Sequence, residues 1–315
     1  MAIKDQVKPM NRRKFLKNSS AVTASTVLLS FGGNPLLANS GSLNIKKDLP
    51  KVKLINGVDM PMVGFGTNTL RGAEGARFVS EAISVGYRLI DTATIYGNEE
   101  AVGKGIKSSK INRKELFVTS KIWVDDFGYD SAKKAFETSL NKLDLDYLDL
   151  YLLHRPRGDV KGTWKAIEEI YQKGRIKAIG ISNFNKEQID ELMGYAKIQP
   201  AVNQIESHVF FQQDEALEYL KEYKIQMEAW SPFAAGRNGV FENEILAQIG
   251  EKYSKTNAQV CLRWNYQRGV VVIPRTSKKS HMIENLSIFD FELDQDDMNA
   301  IAKLDLNTTQ FPEWG

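Results

Sequence analysis

One cysteine, Cys261, occurs in 315 residues, so no disulfide can form within the chain and a small disulfide-built scaffold is excluded. Histidine is scarce too. His154, His208 and His281 are too few and too scattered for a multi-histidine metal centre, which sets aside metal-dependent hydrolysis and predicts no metal ligands. No apolar run reaches the roughly 20 residues that a membrane-spanning helix needs, so no stable membrane span is expected. A basic body is also missing. The formal net charge is +3, but six of the 42 lysines and arginines and only one of the 39 acids lie in the first 38 positions, which leaves 36 bases against 38 acids beyond them. That balance gives no footprint for a phosphate backbone, and nucleic acid is excluded as a partner. The dinucleotide fingerprint of a doubly wound sheet is incomplete, because Gly64-Phe65-Gly66 runs into Thr67-Asn68-Thr69 with no third glycine.

What is present begins with a composition of 42% hydrophobic and 26% charged residues at a mean hydropathy of −0.35, enough apolar surface for a large core in a soluble globular chain. The front end reads Asn11-Arg12-Arg13-Lys14-Phe15-Leu16-Lys17 and then carries no charge from Asn18 to Ile45. It resembles a twin-arginine export signal. The resemblance implies a signal peptide and linker over residues 1–42, the twin-arginine translocation machinery as a partner, a periplasmic or exported protein, and a folding unit over 43–315.

Within that unit, Lys51 to Met60 reads as a hairpin closed by a two-residue Asn56-Gly57 turn. Apolar, β-branched runs then recur at 62–66, 89–93, 116–122, 147–153, 178–182, 201–205, 226–230 and 270–274. Stretches of helical periodicity lie between them, among them 131–143, 162–174, 214–222 and 242–253. Eight strand-helix units with parallel crossovers predict an α/β fold, a single (β/α)8 TIM barrel with an N-terminal β-hairpin. Chemistry in such a barrel belongs at the carboxyl ends of the strands. The polar residues there are Asp91 and, just beyond, Tyr96; Lys121; His154 and Arg155; Ser182 and Asn183; Gln204 and Glu206; Trp230 and Ser231; Arg275 and Thr276. A lysine ending an apolar strand needs a carboxylate, and Asp91 is the best placed.

The segments Leu89 to Glu99 (LIDTATIYGNE), Ser120-Lys121-Ile122-Trp123, Leu153-His154-Arg155-Pro156, Gly180-Ile181-Ser182-Asn183-Phe184 and Ile273-Pro274-Arg275 resemble those of the aldo-keto reductases. Gly158-Asp159-Val160 looks like the bacterial 2,5-diketogluconate reductase-like branch. The resemblance implies a catalytic tetrad of Asp91, Tyr96, Lys121 and His154. Tyr96 would donate the proton, its acidity brought toward working pH by Lys121, which Asp91 holds in place; His154 would orient the carbonyl. It also implies NADPH as cofactor. Ser182, Asn183 and Gln204 would hold the carboxamide, Trp230 would lie under the ring with Ser231 beside it, Arg275 and Thr276 would hold the 2′-phosphate, and Glu284 and Asn285 would meet the adenine. The family's usual arginine is His281 here, a weaker phosphate partner, so NADH is admitted beside NADPH. The expected reaction is reduction of aldehydes or ketones, keto-sugars and keto-acids included, to alcohols. The alternative is a cofactor-occupied barrel acting as a redox sensor or accessory without sustained turnover. Trp123, Arg155 and Asn68 stand on the substrate side. Arg155 and Arg157 suggest an anionic substrate, or else ion pairs with Asp159, Asp125 or Asp126.

Overall fold

The computed structural model describes residues 49–314. The expected leader, residues 1–42, lies outside the described residues, as do residues 43–48 and 315. The described residues belong to one compact unit that begins at Asn44. Among them, no helix is long and apolar enough to cross a membrane.

The chain starts with a hairpin, β1 (Lys51–Lys53) against β2 (Asp59–Pro61). Its turn corrects the sequence expectation. Leu54 and Val58 pair across a three-residue loop, the Leu54 N–H donating to the Val58 carbonyl at 2.8 Å, and only Gly57 takes positive φ, at 85°. This is a type I-like turn with a glycine bulge, so Asn56 needs no left-handed backbone. Its side chain instead donates to the Lys177 carbonyl at 2.8 Å, which fastens the hairpin to the barrel floor.

Eight parallel strands follow: β3 (Gly64–Gly66), β4 (Leu89–Asp91), β5 (Phe117–Ile122), β6 (Leu148–Leu153), β7 (Ile176–Ser182), β8 (Val202–Glu206), β9 (Gln226–Trp230) and β10 (Val271–Val272). They pair in chain order. A parallel bridge between Val63 and Val272 joins the two ends and closes the barrel. The helices α1 (Gly72–Val85), α2 (Glu99–Ser109), α3 (Tyr129–Leu143), α4 (Val160–Gln172), α5 (Lys186–Met193) and α6 (Asp214–Glu222) each follow one strand. Both α7 (Glu244–Tyr253) and α8 (Asn257–Gln267) lie between β9 and β10, and α9 (Lys279–Leu286) and α10 (Gln295–Ala302) come after β10. Their start signals are local: α8 opens with a capping box in which Thr256 and Gln259 satisfy each other's backbone N–H groups.

Alternation along the strands sorts the core into two layers. One face of each strand packs against the helices, as Ile90, Val118, Tyr151, Leu153, Ile179, Ile181, Ile205, Met227 and Ala229 do. The other face fills the barrel, where Leu89, Phe117, Leu150, Leu152, Ala178, Val202, Val271 and Ile273 meet Leu54, Met60 and Met62 from the hairpin. The lower half of the barrel is therefore filled with apolar side chains. Continuing the same inward series toward the carboxyl ends reaches Asp91, Lys121, Ser182, Gln204, Glu228 and Trp230, so the upper half is polar. At the β3–β10 seam a Cβ on Gly66 would lie 2.8 Å from the Ile273 carbonyl oxygen, so closure there requires glycine.

Candidate active site

Lys121 is fully buried near the end of β5, and its Nζ has three neighbours: Asp91 Oδ1 at 2.7 Å, the Thr92 carbonyl at 2.9 Å and Tyr96 Oη at 3.4 Å. Desolvation pulls its pKa down, but the charges of Asp91 and Tyr96 and the hydrogen bond to Asp91 outweigh it, so the ammonium stays charged with its pKa above the usual lysine value. Tyr96 stands on a 3-10 turn, Thr94–Tyr96, that follows β4. Asn98 anchors this turn. It is buried, accepts from Thr92 Oγ1 at 2.8 Å and donates to the Thr67 and Leu70 carbonyls at 2.8 and 3.0 Å, tying the tyrosine turn to the loop after β3.

The acidity expected for Tyr96 is corrected. The residue is half-buried, but desolvation of its hydroxyl raises the phenol's pKa from the usual tyrosine value despite Lys121, with Asp91 and Glu228 adding to the rise. Lys121 limits the rise rather than reversing it. The phenol therefore keeps its proton at neutral pH, which a proton donor needs. His154 packs edge-on against Tyr96 with centroids 5.9 Å apart, and against Trp123 at 5.1 Å. Burial first, then Lys121 and Arg155, hold its pKa well below the usual histidine value, so the imidazole is neutral. Its Nδ1 is buried without a partner among the described residues.

Residues expected to hold a nicotinamide lie one strand further round. The Ser182 hydroxyl donates to the Gln204 carbonyl at 2.8 Å. Asn183 adopts left-handed backbone at φ 63° and spans three strand ends: its amide donates to the His154 carbonyl at 3.1 Å and to Ser182 Oγ at 2.9 Å, and its Oδ1 accepts from the Trp230 indole N–H at 2.8 Å. Gln204 donates from Nε2 to Asp91 Oδ2 at 3.0 Å and to Glu228 Oε2 at 2.8 Å, leaving its carbonyl oxygen as the end able to receive a carboxamide N–H. Ser231, at φ 49°, starts a loop in which Ala234, Ala235 and Asn238 also have positive φ.

The far end of the groove is exposed and basic. Arg275 donates to the Asn68 carbonyl at 3.2 Å and to Thr69 Oγ1 at 2.7 Å, which brings Asn68 beside it. Thr276 is buried and accepts from the Lys278 N–H at 3.1 Å. His281 is exposed on α9; Glu284 accepts from Thr256 Oγ1 at 2.5 Å, and Asn285 is buried. Lys278 and Lys279 are also exposed at the start of α9 and make no ion pair among the described residues. Sequence reasoning passed over them, although their spacing from Arg275 signalled a cationic helix start suited to a phosphate.

Three further features were not foreseen. Glu228 is fully buried beside Gln204. Glu206 accepts from His208 Nε2 at 2.9 Å, from the Gln310 N–H at 2.8 Å and from Thr309 Oγ1, and so docks the C-terminal segment. That segment sets Phe311 edge-on to Trp230 at 5.1 Å and Trp314 beside it at 5.5 Å, with Arg237 clasping Glu313. The expected pairing of Arg155 with an acid is absent among the described residues. Arg155 is half-buried, close enough to affect both His154 and Tyr96, while Asp159 is spent capping α4 through the Gly162 N–H at 2.8 Å.

Comparison with known proteins agrees with this geometry. The sequence profile described as the Aldo/keto reductase family matches residues 62–306. The glyoxal reductase of Bacillus subtilis (strain 168) is 52% identical over 255 residues, covering 80% of this chain and 92% of that protein. The methylglyoxal reductase DkgA of Escherichia coli (strain K12) is 41% identical over 257 residues, covering 81% and 93%. A crystal structure of a Bombyx mori aldo-keto reductase in complex with NADP superposes with a TM-score of 0.79 at 34% identity, covering 84% and 95%. On both sequence and fold, this chain belongs to the aldo/keto reductase family.

Proposed function

We propose that the protein is an exported, NADPH-dependent reductase of small aldehydes and ketones, α-oxo-aldehydes among them, with Tyr96 as proton donor. The observation that carries this reading is the buried chain Asp91–Lys121–Tyr96 ending 5.9 Å, centroid to centroid, from a neutral His154. The residues present fit the cofactor. Ser182, Asn183 and Gln204 would hold the carboxamide, Trp230 offers a ring face, and Arg275, Lys278 and Lys279 with the start of α9 offer positive charge to a 2′-phosphate. The exposed lysines offset the loss of the usual arginine at His281, which favours NADPH over NADH. Bound there, the dihydronicotinamide supplies the hydride.

The chain's own residues do the rest. As the carbonyl carbon is reduced, its oxygen gains negative charge and takes the proton from Tyr96 Oη, so the alcohol leaves with one hydride and one proton added. The phenolate left behind faces Lys121 Nζ, which Asp91 keeps charged and in place. His154, unable to carry charge at neutral pH, orients the carbonyl through a neutral ring N–H. NADPH oxidation by the purified barrel with glyoxal and methylglyoxal tests the reading; many turnovers are expected, and at most one slow round would replace the enzyme by a redox sensor.

Two finer points belong to this proposal. The twin-arginine motif Arg12-Arg13 supports export of a folded, cofactor-loaded barrel. Cell fractionation should find wild type in the periplasm and an Arg12→Lys, Arg13→Lys precursor retained; equal periplasmic amounts would remove that route. Arg155, without an ion pair among the described residues, supports a preference for carbonyl compounds bearing a carboxylate. Arg155→Gln should cost roughly 1.5 to 3 kcal/mol in kcat/KM for a keto-acid but little for its neutral analogue. Equal losses for both compounds would make Arg155 structural.

A further inference from the structure

The barrel centre holds two carboxyl groups, and the mechanism uses one. Glu228 of β9 lies in register with Gln204 of β8, and both point inward, exposed by 0% and 2%. The two hydrogens of the Gln204 amide are divided between Asp91 Oδ2 and Glu228 Oε2. We propose that Glu228 is a positioning residue of the hydride-transfer site, acting on Asp91, Lys121 and Tyr96 through the Gln204 amide that it shares with Asp91. The inference rests on Tyr96 as the proton donor.

The geometry makes Glu228 a carboxylic acid rather than a carboxylate at neutral pH. Among the described residues, Lys121 is the one cation acting on both carboxyl groups, and Asp91 takes it at 2.7 Å, so a second anion there would have no counter-charge. Glu228 Oε1 is buried with no partner among the described residues, an arrangement far costlier for a charged oxygen than for a neutral one. Burial first, then the charge of Asp91, push the carboxyl up to about 8, against the opposing pull of Gln204 and Lys121. The other neighbours add no charge. On the inner face stand Val271 of β10 and Ile273 just beyond it, Glu206 of β8 is turned to His208 and the C-terminal segment, and Leu217 and Leu220 of α6 join the packing outside the barrel.

As a neutral acid, Glu228 fixes the Gln204 amide without adding charge, so the oxygen of Gln204 faces the carboxamide site and Asp91 stays on Lys121. Ionised, it adds a negative charge that holds protons more firmly on both Tyr96 and Lys121. Tyr96 then becomes a poorer donor. Reduction should therefore slow as pH rises through the ionisation of Glu228.

The test is the pH profile of kcat for a neutral aldehyde at saturating NADPH, from about pH 6 to pH 10, in wild type and Glu228→Gln, whose amide cannot ionise. Wild type should lose activity at least about threefold in a step centred near pH 8, and the variant should lack that step. A step of the same size and position in the variant overturns the proposal. Infrared spectroscopy of the wild-type chain supplies a readout independent of turnover and of the variant's folding. The carbonyl stretch of a buried, protonated carboxyl should be present at pH 6, vanish across the same range and be missing from Glu228→Gln, which separates it from the buried Glu99, whose pKa burial also raises; its absence from wild type at pH 6, or its persistence in the variant, also overturns the proposal. Because the infrared signal does not depend on which group donates the proton, a failure of Tyr96 as donor would be seen separately, as undiminished turnover in Tyr96→Phe.

Discussion

Tyr96→Phe is expected to lower kcat for glyoxal reduction by about two orders of magnitude or more, the usual scale for losing a positioned acid, while NADPH still binds. The ring, its edge contact with His154 and its packing on the turn survive the change; only the oxygen 3.4 Å from Lys121 Nζ is lost. Stopped-flow hydride transfer and NADPH titration by fluorescence would separate chemistry from binding. A wild-type rate in the variant would remove Tyr96 from the reaction and return the choice of donor to His154 or a water. His154 is a poor substitute, because burial and two neighbouring cations hold its imidazole neutral.

The second large effect concerns stability as well as rate. Lys121→Met leaves Asp91 buried, 1% exposed, with its cation gone. Breaking a buried pair from one side costs about 3–5 kcal/mol, and for a folded unit of this size that lowers Tm by roughly 5 to 9 °C. The pH dependence has a definite sign. In wild type the raised pKa of Lys121 means the pair's contribution is fully present at neutral pH and is lost only as pH climbs through the lysine's own folded-state titration. Adding Asp91→Asn to Lys121→Met should recover part of the loss at pH 7. A single variant as stable as wild type, or a double variant worse than the single, would show that the pair is not held as an ion pair.

The barrel was legible because its strands carry two signals at once. β5 and β6 carry apolar residues on both faces and are buried at every position, as strands covered on both sides are, and the helices between strands keep a 3.6-residue period. Lys121 and Asp91 could be paired before any coordinates, since a lysine at the end of such a strand has few ways to be buried. Glu228 hid in the same kind of pattern. In Gln226-Met227-Glu228-Ala229-Trp230 the glutamate shares the face of Trp230, so an inward tryptophan places Glu228 inward as well. The role of Glu206 was out of reach, because its partners Thr309 and Gln310 lie about 100 positions away on a segment without periodicity. The acidity of Tyr96 failed for a different reason. It is a contest between desolvation and Coulomb attraction, and residue types name the contestants without their distances.

Cys261 bears on how long such a protein lasts. Small α-oxo-aldehydes, the substrates proposed for this site, are electrophiles whose carbonyl carbon a thiolate attacks faster than most other side chains do. The chain's one sulfhydryl lies inside α8 with no exposed surface, and burial pushes it up to about 12. At neutral pH its thiolate fraction is then about a thousandfold or more below that of a free cysteine, whose pKa is near 8.5. The chain thus presents no reactive thiolate to such a substrate. Loss of activity on prolonged exposure should therefore track adducts on the exposed Lys278 and Lys279 and the half-buried Arg155, with the sulfur still titratable after the fold is opened.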